Sequence, residues 1–65
     1  MKAREIKPGR LYMTTDLNFK KVLMCLSSHT DTDNDLTLTW MMCGDECDIM
    51  SFRYGDSSVL MLQEV

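Results

Sequence analysis

No apolar run in this 65-residue chain exceeds five residues, the longest being Val22–Leu26. A membrane helix needs roughly 20, so no helical span is expected. Proline occurs once and glycine three times, and no Pro/Gly/Ser-rich stretch or internal repeat marks a linker or tandem modules. No GxSxG-like elbow, phosphate-binding glycine loop or recognition-helix pattern is present, which removes the common signatures of hydrolases, nucleotide enzymes and helix-turn-helix proteins. The three cysteines are an odd number, and no apolar stretch precedes Lys2, Arg4 and Lys7. A secreted disulfide scaffold is therefore not expected, and a cytoplasmic location is.

Residues 1–65 are read as a single domain. At this size folding buries only about 60% of the surface exposed by the unfolded chain, and net stability is on the order of 3–5 kcal/mol unless a metal, a disulfide or a partner subunit adds to it. Both a monomer and a homodimer fit that constraint.

What the chain does have is five short apolar runs bounded by turn residues. They are Arg10–Thr14, Lys20–Ser27, Leu36–Met42, Asp48–Tyr54 and Val59–Val65, spaced as in a small all-β domain. Pro8-Gly9 sets a type II turn before the first run, because proline presets φ and glycine accepts a positive φ. Asp16-Leu17-Asn18 supplies a second turn before Phe19. The second run is apolar on both faces, which places it centrally in a sheet. Ser27–Asp35 is the longest polar stretch and reads as a solvated loop. Leu36, Leu38, Trp40 and Met42 alternate with Thr37, Thr39 and Met41, so Trp40 is expected in the core and Met41 on the opposite face.

The segment Lys7-Pro8-Gly9-Arg10-Leu11-Tyr12, followed by five strands with a long polar loop in the first half, resembles the small SH3-like β-barrels of bacteria and phages. The resemblance implies an all-β, five-stranded antiparallel SH3-like barrel. The small size, the seven methionines and the unadorned domain point to a small bacterial or phage regulator that docks on a host protein, residing in the host cytoplasm if phage-encoded. The acidic total and the scarcity of bases in the later strands depart from the nucleic-acid-binding members, and the acidic loop lacks the aromatic cluster of peptide-binding SH3 domains.

Net charge is −3 and divided along the chain. Residues 1–22 carry six bases against Glu5 and Asp16, a balance of +4, and residues 23–65 carry Arg53 against eight acids, a balance of −7. The bases Lys2, Arg4, Lys7, Arg10, Lys20 and Lys21 define an alternative nucleic-acid face, with Tyr12 or Phe19 to stack a base; a sequence pI near 4.8 opposes it. Cys25-x3-His29 and Cys43-x3-Cys47 are spaced like ligand pairs of a structural zinc site, an alternative in which zinc staples the fold. Cys43 and Cys47 could instead form a small disulfide under oxidising conditions. Asp31-x-Asp33-x-Asp35 imitates the start of a calcium loop, but Leu36 stands where its glycine belongs and Met42 where its bidentate glutamate belongs. His29 beside Ser27, Ser28 and Asp31 offers the residue types of a hydrolytic triad without converging segments.

No chemistry is assembled, and no cofactor is expected outside the zinc alternative. The reading is a non-enzymatic protein-binding module that docks on a partner protein through the acidic loop Asp31, Asp33 and Asp35, the acidic turn Asp45, Glu46 and Asp48, exposed Met41, or its strand edges.

Overall fold

The computed structural model describes residues 1–15 and 20–65. The expected turn at Asp16-Leu17-Asn18 and the role of Phe19 lie outside the described residues. Among the described residues five antiparallel strands form one sheet: β1 (Leu11–Thr14), β2 (Val22–Thr30), β3 (Leu36–Cys43), β4 (Cys47–Tyr54) and β5 (Leu62–Glu64). A 3₁₀ turn at Ala3–Glu5 precedes them. The spatial order is β4-β3-β2-β1-β5, so β2 is the central strand that its two-sided apolar run called for. β4 and β5 are the edges, and among the described residues neither pairs with the other. The all-β class and antiparallel pairing hold. The closed barrel does not, because the sheet is left open between its edge strands β4 and β5.

The Pro8-Gly9 turn forms as the residue types dictate: Gly9 adopts φ +82° and the Arg10 amide donates to the Lys7 carbonyl at 3.4 Å. Ser28, His29 and Thr30, expected in a loop, extend β2 instead, because Ser28 pairs with Leu38, His29 with Thr37 and Thr30 with Leu36. Polar character did not decide these positions; the facing strand did. The loop shrinks to Asp31–Asp35, closed by Asn34 at φ 65°, a left-handed conformation asparagine tolerates. The fifth strand is shorter than its apolar run. Val59 makes an isolated bridge to Lys2, and the Met1 ammonium donates to the Leu60 carbonyl at 3.0 Å, so this segment is tied to the chain start before β5 begins.

A register shift between Cys25 and Ser27 leaves Leu26 as an extra residue in β2. Such bulges bend a strand and strengthen its twist, which curls the sheet about one inner face. On that face lie Tyr12, Cys25, Leu36, Leu38 and Trp40, all buried, with Ala3 and Ile6 closing over them. Tyr12 and Trp40 meet edge to face at 5.8 Å, and the Tyr12 hydroxyl accepts the Lys7 amide at 2.9 Å, so a large buried aromatic has a partner for its polar end. Trp40 is thus the core anchor that its register with Leu36 and Leu38 predicted.

Candidate protein-binding site

The open side of the sheet leaves an apolar cleft of about 180 Å³ lined by Leu23, Trp40, Met42, Phe52, Tyr54, Leu60, Met61 and Leu62. Its floor is Trp40, held edge-on by Tyr12. One wall is β4, where Phe52 and Tyr54 share a tilted contact at 6.4 Å; the other is the segment leading into β5. Strand alternation accounts for the wall: Phe52 pairs with Leu38 and Tyr54 with Leu36, so both project to the inner face. Phe52 is nevertheless 43% exposed and Met61 73% exposed, since no strand among the described residues covers them. Phe52, Leu60 and Met61 were not singled out as site residues from the sequence. Their only signal there was apolar character in the last two runs, which reads equally well as core.

The opposite, outer face carries a row of apolar residues in lateral register, Leu11 to Met24, Met24 to Met41 and Met41 to Ile49. Met41 is half-buried within this row rather than fully exposed, because Met24 and Ile49 flank it. Ile49 ends the row at 66% exposure.

The two acidic groups do not form one patch. Asp31, Asp33 and Asp35 precede the start of β3, whereas Asp45 and Glu46 lie in the turn beyond its other end and Asp48 lies in β4 opposite Met42, so most of the length of that strand, on the order of 20 Å at the usual rise, separates the groups. The first group is partly neutralised: Arg53 Nη2 lies 2.9 Å from Asp31 Oδ2, 3.0 Å from Asp35 Oδ2 and 3.7 Å from Asp33 Oδ2. Asp31 Oδ1 in addition accepts the amides of Asp33 at 2.9 Å and Asp35 at 3.0 Å. These acids therefore also shape their own loop. Asp45, Glu46 and Asp48 are exposed around a shallow hollow that also includes Lys21.

The zinc set does not converge. Cys43 and Cys47, opposite each other across the β3–β4 hairpin, are joined as a disulfide, which departs from the reduced thiols expected of a cytoplasmic chain. Cys25 is buried opposite Trp40, and His29 lies farther along β2 opposite Thr37. Among the described residues no group of three or more His, Cys, Asp or Glu could hold a metal. Burial pushes the Cys25 thiol above its ordinary pKa, against a smaller opposing effect of a hydrogen bond with the Ser27 backbone, which keeps it protonated and unreactive.

The bases are likewise dispersed. Arg10 is engaged by Glu64 at 3.3 Å, Lys7 and Arg10 share a polar hollow with Glu5 and Glu64, Lys2 and Arg4 belong to the chain start, and Lys20 and Lys21 precede β2. Tyr12, at 1% exposure, has no free ring face on which a base could stack. Among the described residues no helix is long and apolar enough to cross a membrane. No protein-family model, curated protein or solved structure matches the chain.

Proposed function

We propose that this chain is a non-enzymatic protein-binding module, a partly open variant of the SH3-like barrel, that takes one or two large apolar side chains of a partner protein into the cleft over Trp40. The observation that carries the reading is the cleft itself: an apolar hollow bounded by two unpaired strand edges, with a rigid buried tryptophan beneath and exposed Phe52 and Met61 at its rims. Aromatic and methionine side chains around a desolvated pocket are the usual makings of an interaction hot spot. The strand order and the bend in β2 support the barrel relationship. The acidic groups at the two ends of β3 favour a partner whose apolar residues are flanked by Lys or Arg, since charge at the rim governs encounter and discrimination more than affinity.

An array of linear peptides tests this reading. Peptides with a large apolar residue between basic ones are expected to bind and to change Trp40 fluorescence, and Met61→Glu is expected to weaken them at least tenfold while leaving the fold intact, because Met61 is mostly in solvent. Binding that ignores Met61→Glu, or an array with no enrichment for apolar residues, would reject the cleft as the site.

A further inference from the structure

The two edges of the sheet differ in how they are protected. β5 is three residues long and ends in Gln63 and Glu64, short and polar as exposed edges usually are. β4 is eight residues long, pairs with β3 at every position without a bulge, and contains neither proline nor lysine. Every β4 residue except Tyr54 is exposed, including Ile49 at 66%, Met50 at 43% and Phe52 at 43%. Its one basic group, Arg53, is drawn to Asp31 and Asp35. A long, regular, apolar edge of this kind templates strand pairing unless something covers it.

Two global measures indicate that burial is unfinished. The chain exposes 4677 Å², whereas a compact monomer of 7.5 kDa exposes roughly 4250 Å². Its radius of gyration is 11.6 Å, against about 10.7 Å for a compact chain of this length. The excess of roughly 400 Å² is about half of the roughly 800 Å² per partner that a standard stable interface buries, so a contact of about half the standard size, such as one paired strand edge, would account for it.

We propose that the β4 edge is covered by the β4 edge of a second copy, antiparallel about a two-fold axis, giving a continuous ten-stranded sheet. This inference does not rest on the cleft reading, although Phe52 and the β4 edge take part in both. Directly opposed residues must lie on the same face of a sheet, so a two-fold axis permits only registers in which opposed residue numbers share parity. Two such registers overlap most of the strand. One places Met50 opposite itself, which sets Asp48 against Phe52 and Cys47 against Arg53. The other places Ser51 opposite itself, which sets Met50 against Phe52, Ile49 against Arg53 and Asp48 against Tyr54. The second register is favoured: a thioether meets an aromatic ring, the arginine stem covers Ile49, and no carboxylate is laid on Phe52.

Light scattering coupled to gel filtration at micromolar concentration is expected to give a closed dimer, and Ile49→Lys is expected to raise its dissociation constant at least tenfold with the strand signal in circular dichroism unchanged. Ser51→Cys is expected to cross-link to itself with a short bifunctional thiol reagent much faster than Met61→Cys on the far side of the cleft, and faster than Met50→Cys. A wild-type monomer at 100 µM (about 10⁻⁴ M), where even a weak edge contact is populated, would overturn the proposal. So would a dimer insensitive to Ile49→Lys with no preferential cross-link at Ser51→Cys, or open-ended aggregation in place of a dimer. Met61→Glu should leave the dimer intact, which separates failure of this interface from failure of the cleft.

Discussion

Truncation of Leu38 gives the sharpest check on where the core lies. Leu38 is fully buried at the middle of β3, flanked by Ser28 on one side and Phe52 on the other, and belongs to a core that also contains Tyr12, Cys25 and Trp40. Replacing a buried leucine by alanine costs about 2–5 kcal/mol, the spread depending on how far the site collapses. A domain of this size has only about 3–5 kcal/mol in total. Starting from about 4 and losing about 3, Leu38→Ala retains about 1 kcal/mol, so roughly 15% of molecules are unfolded in buffer at 25 °C. Urea unfolding followed by the fluorescence of Trp40, the single tryptophan, measures this, at one fixed protein concentration because association would raise apparent stability. The slope should stay near wild type while the midpoint falls by more than half. Val59→Ala, at a position 64% exposed, serves as the comparison and should shift stability by less than about 0.5 kcal/mol. Equal midpoints for the two variants would refute the placement of the core on the inner face of β3.

Three further outcomes are expected. Asp31→Ala removes the acceptor of two backbone amides and one contact to Arg53 and should cost about 1–2 kcal/mol, whereas Arg53→Met should cost less than about 1 kcal/mol because the exposed ion pairs are screened; added salt should erase the second effect and not the first. Reduction of Cys43–Cys47 should lower the unfolding free energy, read from urea titration, by no more than about 2 kcal/mol, the chain-entropy value for a loop this short, with the fold retained in circular dichroism. The Cys25 thiol has a folded pKa above its ordinary value of 9.0, so the unfolded state loses its proton first. Its contribution to stability is complete at pH values below 9.0 and declines as pH rises through and beyond that value. The alkaline decline should be smaller in Cys25→Ala, and alkylation of Cys25 in the native protein should be slower than in urea; rapid native alkylation would show that the thiol is not buried.

The strands were legible because each apolar run carried its own period and its own turn. Leu36, Leu38, Trp40 and Met42 could not share a face in any conformation but a strand, and Pro8-Gly9 could form little other than the turn it makes. Ser28–Thr30 was misjudged because side-chain polarity is a weak guide where backbone pairing with Leu36–Leu38 supplies the order. The cysteine spacing was equally compatible with zinc and with a disulfide. Only the hairpin register, which sets Cys43 opposite Cys47 and leaves Cys25 beside Trp40, separated the two.

Local chemistry thus determined the class of the fold, the number of strands and the identity of the core tryptophan, all of which depend on residues near one another in the chain. Whether the sheet closes, which edge stays bare and which apolar groups remain in water were decided by contacts between distant segments. The bulge at Leu26 sets the curl, the bond from the chain start to Leu60 shortens the last strand, and the reach of Arg53 to the Asp31 loop disposes of charges that the sequence left free. Phe52 and Met61 are chemically indistinguishable from core residues in the sequence, and only the open edge between β4 and β5 leaves them in water.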